Sequence, residues 1–303
     1  MTLKGIVPSL NTPFKDDGTV DHHSLRRLVN HTIDAGCGGM LCLAVAGEYS
    51  TLTKAEKVQI VETISDANAD RIPFIVSVTA QDLNESRELA KVAKSVHATG
   101  ICVQLPEGLD LSEKLDFLRD LTQEAPELLM VQDLDWHGAG LPLDEIVYLF
   151  ENIEQFQWLK IETQQAGPKY SAVIEATNGA LNVCGGWAVT QLMDAMARDV
   201  DAFIPTGMEH VYVAIYSLHK DGRIAAARDL FDRVLPILNF SNQHIDTSIR
   251  FFKALRKAEG LFETNICRIS TELDPVQQAE LEHTVVSALD LIRDSQREAD
   301  LAN

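Results

Sequence analysis

The chain reads as an α/β fold, a (β/α)8 TIM barrel with a C-terminal helical extension, and three observations predict it. Short apolar runs alternate with amphipathic helical stretches along most of its 303 residues. The unit recurs eight times at a spacing of about 21 to 34 residues, which suits a closed barrel better than an open doubly wound sheet. The runs are almost continuously apolar, as strands are when helices cover one face and a barrel interior the other.

The predicted strands, in order, are Gly5–Thr12, Met40–Ala44, Phe74–Val78, Ile101–Leu105, Leu128–Asp133, Gln157–Glu162, Leu181–Gly185 and Ala202–Thr206. Between them lie helical stretches such as Ser24–Ala35, Lys54–Ala67, Asn84–His97, Ser112–Ala125 and Thr190–Arg198. Their apolar residues return every three or four positions, as in Leu25, Leu28, Val29 and Ile33. Capping signals mark helix starts: Thr53 with Glu56, Ser112 ahead of Glu113, and Asp144 ahead of Glu145. After Met208 only helical stretches remain: Val211–His219, Arg223–Leu235, Gln243–Ala258 and Pro275–Arg293. The expected division is a barrel over residues 1–222 and an extension over 223–303, packed on the barrel or on a neighbouring subunit for want of a flexible linker.

Composition narrows the function. A net charge of −19 and a pI near 4.8 exclude nucleic acid and anionic membranes as partners, because both repel a polyanion. The five cysteines (Cys37, Cys42, Cys102, Cys184, Cys267) form no CxxC pair and read as small buried residues in a reducing, cytoplasmic compartment. Residues 1–10 do not make a signal peptide, and no apolar stretch is long enough to span a bilayer.

Lys160 is the chemically telling residue. It sits near the end of the sixth apolar run, and the chemistry of such barrels gathers where strands end. A buried ammonium must be paired, neutralised or used, and a lysine relieved of its proton is a nucleophile for a carbonyl carbon. Glu162, two residues on, shares its face of the strand. Two roles stay open for Glu162: a general acid/base, or an ion-pair partner that neutralises a buried lysine. Gln132 faces the same interior and can orient a substrate hydroxyl or carboxylate.

Four segments in order carry a family resemblance: Thr12-Pro13-Phe14 with Asp17-Gly18, Ala44-Val45-Ala46-Gly47-Glu48 with Leu52-Thr53, Leu159-Lys160-Ile161-Glu162, and Phe203-Ile204 after Asp201-Ala202. With them the chain resembles the dihydrodipicolinate synthase/N-acetylneuraminate lyase family. The resemblance implies a Schiff-base lyase acting on pyruvate or a related 2-keto acid, with no cofactor, assembled as a homodimer or homotetramer. It assigns the Schiff-base lysine to Lys160 and the carboxylate-binding loop to the backbone of Val45, Ala46 and Gly47, with Ile204 beside the substrate. The chain departs from the family's pattern where Val45 and Ala46 replace hydroxyl side chains and Gln132 replaces a tyrosine. The family's arginine falls near His137, and a second tyrosine near Glu107 or Gly108. The Gln132-Asp133 segment and the Lys160-Ile161-Glu162…Pro168-Lys169 pattern resemble members that look like 2-keto-3-deoxy sugar acid dehydratases or aldolases. The runner-up is 4-hydroxy-tetrahydrodipicolinate synthase; a third reading is a non-catalytic keto-acid-binding barrel.

Other signals read as structural. Gly185-Gly186 and Gly207 read as tight turns rather than a phosphate site, with Glu209 adding negative charge beside them. His22-His23, His210 and His244 lack metal-ligand spacing, so no metal is expected, and Asp133 with His137 lacks a nucleophile elbow. Trp136 and Trp187 are expected at the mouth of an apolar pocket and Trp158 in the core.

Overall fold

The structure is a computed structural model of the whole chain, and it describes residues 3–80, 82–186 and 189–302. Eight parallel strands form one sheet: β1 (Gly5–Ile6), β2 (Met40–Cys42), β3 (Phe74–Ser77), β4 (Gly100–Gln104), β5 (Leu128–Asp135), β6 (Phe156–Thr163), β7 (Asn182–Gly185) and β8 (Ala202–Phe203). From β2 to β8 each strand pairs with its sequence neighbour, β1 pairs with β8, and an isolated parallel bridge from Ser9 to Leu41 closes the ring. The helices between them are α1 (His22–Asp34), α2 (Lys54–Asn68), α3 (Leu83–Ser95), α4 (Leu111–Thr122), α5 (Leu143–Asn152), α6 (Ala166–Ala176), α7 (Leu192–Met196) and α8 (Glu209–Lys220). Three more follow: α9 (Ile224–Ser241), α10 (Ile245–Ala258) and α11 (Pro275–Ala302).

Strand alternation divides the core in two. Leu159 and Ile161 of β6 face outward into the large core between sheet and helices, with Ile101, Val103, Leu129 and Val131. Trp158 points inward with Val7, Leu41, Ile75, Cys102, Met130 and Cys184, filling the barrel below the site. A register shift between β5 and β6 at Leu129/Met130 sets this parity: Phe156 pairs with Leu129 and Trp158 with Met130, so Gln157 is the extra residue. Beyond the shift Gln132 lies beside Lys160 and Leu134 beside Glu162.

The first strand is the largest departure from expectation. Regular pairing ends at Ile6 instead of Thr12 because Pro8 has no N–H to give. The segment remains extended, however: Ser9 N–H donates to the Pro205 carbonyl at 2.8 Å and Leu10 N–H to that of Leu41 at 2.8 Å. Gly38 permits this closure, since a Cβ there would overlap the Lys4 carbonyl oxygen.

Of the expected caps, Thr53 and Glu56 form a complete capping box on α2. The α4 box is built by Asp110 and Glu113, so Ser112 already lies inside the helix. On α5 the cap position is Pro142 and no side chain caps; Asp144 and Glu145 occupy the first turn, where they favour the positive helix end. The stretch expected as helix over Thr190–Arg198 shortens to α7. Conversely, α9 continues past Pro236 to Ser241, where buried Ile237, Leu238 and Phe240 hold the last turns despite the lost backbone bond.

The C-terminal helices pack on the barrel: α8 against β1 and α9, α11 along α8 and α9, and α10 against the turn that follows β2. Among the described residues no helix is long and apolar enough to cross a membrane.

Candidate active site

A cavity of about 460 Å3 opens at the C-terminal ends of the strands. Its lower wall combines Ser9, Ala44, Gln132, Lys160, Glu162 and Ile204; Trp136 and His137 border it from the loop after β5. Its roof comes from the α9–α10 connection: Asn242, Gln243, His244, Ile245 and Ser248.

Lys160 is 4% exposed, and its Nζ lies 2.9 Å from Glu162 Oε2. Glu162 Oε2 also accepts a hydrogen bond from Gln132 Nε2. The two-residue strand period therefore brings Lys160 and Glu162 together, and β5 adds Gln132 from the adjoining strand. Burial pulls the Lys160 ammonium towards deprotonation, but the Glu162 carboxylate, joined by Cys102 and Cys184, holds the group above the ordinary lysine value. The resting site is thus an ion pair. A neutral amine arises there only when the proton passes to Glu162 or to an arriving substrate.

Gly186 belongs to this arrangement. A Cβ at that position would collide with the Glu162 side chain, so the glycine makes room for the carboxylate. Trp187, expected at the pocket mouth, lies outside the described residues. Trp136 stands at the cavity edge, 45% exposed, and Trp158 is buried in the inner core.

The expected carboxylate loop is a short 3₁₀ turn, Val45–Gly47, braced from the segment after β1: Asn11 Nδ2 donates to the Ala46 carbonyl at 2.9 Å and Thr12 Oγ1 to that of Gly47 at 2.7 Å. The TPF segment thus positions this loop. Val45 and Ala46 line the cavity, but Gly47 does not, and its N–H already donates to the Ala44 carbonyl at 2.9 Å. Among the described residues the N–H groups of Val45 and Ala46 have no backbone acceptor, so two amides remain for an anion rather than three.

Several sequence signals fall elsewhere. Asp133 pairs with Lys169 Nζ at 2.5 Å and accepts Leu141 N–H at 2.8 Å, and Lys169 also donates to the Ala139 carbonyl at 2.5 Å. Both residues therefore fix the loop after β5, and Lys169 is not a second nucleophile. Burial raises the Asp133 carboxyl against the pull of Lys169. Glu209 is fully buried and paired with Arg256, Nη1 to Oε2 at 2.9 Å, so it adds no charge to an open phosphate site. Glu107 and Gly108 are exposed in the loop after β4 and do not line the cavity. His244 does line it, as a cap of α10 whose Nδ1 accepts Asp246 N–H at 3.1 Å. Among the described residues no group of three His, Cys, Asp or Glu could hold a metal ion.

Sequence reasoning missed Ser9, Thr206 and the whole roof. A signal existed for Ser9: it holds the inward parity of Val7 in an otherwise apolar run. No comparable signal existed for residues 242–248, whose approach depends on tertiary packing.

The fold and site define a parallel (β/α)8 barrel with a buried lysine–glutamate pair at the strand ends. Residues 2–115 match the model of the Dihydrodipicolinate synthetase family. The chain is 27% identical over 292 residues to the L-2-keto-3-deoxyarabonate dehydratase of Azospirillum brasilense, covering 92% of each protein. It is 34% identical to the 4-hydroxy-tetrahydrodipicolinate synthase of Salinibacter ruber over 106 residues, only 35% of either chain. The dihydrodipicolinate synthase structure from Rhodopseudomonas palustris superposes with a TM-score of 0.85 at 21% identity, over 94% of this chain and 97% of that one. The resemblance to this family therefore holds in sequence over residues 2–115 and in fold along nearly the whole chain.

Proposed function

We propose that this protein is a Schiff-base-forming lyase acting on pyruvate or a related 2-keto acid, of the 2-keto-3-deoxy sugar acid dehydratase or aldolase type. The observation that carries this reading is the buried Lys160–Glu162 pair at 2.9 Å, open to a cavity of about 460 Å3. The keto acid's carboxylate binds the free amides of Val45 and Ala46. Glu162 takes the proton of Lys160, and the amine adds to the keto carbon. The returned proton leaves with the carbinolamine hydroxyl as water, forming the iminium. Loss of a proton from the adjacent carbon gives the enamine, and expulsion of a hydroxyl one carbon further completes a dehydration. The aldolase variant instead breaks the next carbon–carbon bond. Hydrolysis then frees product and restores the ion pair. Glu162 serves as acid/base in both, and Gln132 keeps its carboxylate directed at Lys160.

Two features favour the sugar-acid type over the synthase. The dehydratase relative aligns along 92% of this chain, the synthase relative along 35%. The roof is mostly polar and carries no carboxylate, lysine or arginine, and Asn242 offers a buried Nδ2 without a partner among the described residues, a donor suited to a substrate hydroxyl. The proposal includes a cytoplasmic homo-oligomer; five free cysteines support the reducing compartment.

The test is turnover of a panel of 2-keto-3-deoxy sugar acids, with products identified by mass. Loss of 18 mass units or release of pyruvate supports the proposal. No turnover with a Lys160 adduct still forming would favour the non-catalytic barrel.

A further inference from the structure

We infer that Ser9 is a substrate-binding residue, whose hydroxyl donates to the keto acid's carboxylate in place of the side-chain donors that Val45 and Ala46 lack. The inference rests on the keto-acid reading above but concerns a residue that neither the motifs nor the chemistry of Lys160 requires.

Ser9 is 5% exposed, lines the cavity, and its Oγ has no hydrogen-bond partner among the described residues. An unpaired buried hydroxyl destabilises the free protein, and alanine would fill this position at no such cost. Its backbone, by contrast, is anchored: its N–H donates to the Pro205 carbonyl at 2.8 Å, and the flanking Pro8 carbonyl and Leu10 N–H both bond to Leu41. The residue is therefore held on both sides by neighbouring strands, while its buried hydroxyl is uncommitted.

Its position names the ligand group. Segment 9–12 runs directly against the turn after β2, tied by Asn11 to the Ala46 carbonyl and by Thr12 to that of Gly47. Ser9 shares the cavity wall with Ala44, Val45 and Ala46 on one side and with Ile204 on the other. A carboxylate seated on the Val45 and Ala46 amides has a second oxygen and further lone pairs to fill. Ser9 is the uncommitted hydroxyl carried by the strand that braces those amides. Since a hydrogen bond to an ionised group is stronger than one between neutral groups, the carboxylate is the expected acceptor.

The experiment uses the full chain. Fractional trapping by borohydride, followed by intact mass, is measured against pyruvate concentration for wild type, Ser9→Ala and Ser9→Thr, and again with pyruvamide, which lacks the anionic carboxylate. Ser9→Ala should melt no lower than wild type but need about 10- to 100-fold more pyruvate for half-trapping. Its preference for pyruvate over pyruvamide should narrow by a similar factor, and Ser9→Thr should recover most of both. Unchanged pyruvate dependence in Ser9→Ala, or an equal loss with pyruvate and pyruvamide, overturns the assignment. Absence of any Lys160 adduct in wild type would instead defeat the keto-acid reading itself, so the two failures are distinguishable.

Discussion

Two of the buried lysines among the described residues, Lys253 and Lys160, each pair with a carboxylate, and they sit in opposite settings. Lys253 and Glu48 are both fully buried and paired, between α10 and the turn after β2. Lys253 Nζ also donates to the Ile266 carbonyl at 2.9 Å and lies 4.0 Å above the Phe14 ring. Glu48 Oε2 accepts the N–H groups of Arg268 at 2.6 Å and Ile269 at 3.1 Å. Every direction around that pair is closed. Lys160 and Glu162 also pair, yet theirs opens onto the cavity. Titration alone would choose wrongly between them: burial, reinforced by Arg268, leaves Lys253 below the ordinary lysine value, whereas Glu162 holds Lys160 above it. On the proposed function, access for a carbonyl carbon and a proton acceptor that can exchange its proton decide which lysine is reactive. The Lys253 pair is a clamp. It joins the C-terminal helices to the loop that carries the Val45 and Ala46 amides, so the extension shapes the proposed anion site as well as the cavity roof.

The sharpest way to separate the pairs is to remove each carboxylate. Glu162→Gln should cut turnover by the ~10²–10⁴-fold typical of a lost acid/base while leaving the fold intact. The sign of its pH effect is fixed. Burial lowers Lys160 and Glu162 is the main group that raises it, so without the carboxylate burial is opposed only by Cys102 and Cys184. The midpoint of borohydride trapping against pH should therefore move to lower pH in the variant. Unchanged turnover, or an upward shift, would remove Glu162 from the chemistry.

Glu48→Gln should show the converse pattern. It leaves Lys253 buried without its partner, a cost of about 3–5 kcal/mol measurable by urea unfolding. Pyruvate binding should weaken with the loosened loop, but the pH midpoint of trapping should stay where it is. A shifted midpoint would mean that the two pairs are coupled rather than distinct.

The smallest effect concerns a helix far from both. Asp110→Ala removes the α4 cap and should cost ~1 kcal/mol, whereas Ser112→Ala should cost little. Equal losses would restore Ser112 as the cap.

The barrel was legible because its signals are local and repeat. Eight apolar runs and their intervening helices can be read without tertiary knowledge, and the parity that unites Lys160, Glu162 and Gln132 follows from strand geometry. Errors arose where one residue competed with its neighbours. Asp110 outcompetes Ser112 because it stands three residues before Glu113, the spacing a capping box requires. Gly47 looked available until its N–H met the Ala44 carbonyl. The roof was invisible for a different reason. Nothing in Asn242-Gln243-His244-Ile245 marks a binding segment until α9 and α10 fold back across the barrel mouth.

On the proposed function Lys160, alone among the buried lysines, meets a keto acid. Borohydride reduction in the presence of pyruvate, followed by intact mass and peptide mapping, tests it directly. One reduced pyruvate adduct per chain is expected, on the peptide carrying Lys160 and absent from Lys160→Met. No adduct with pyruvate or any other 2-keto acid, or an adduct mapping to Lys253 or Lys169, would contradict it.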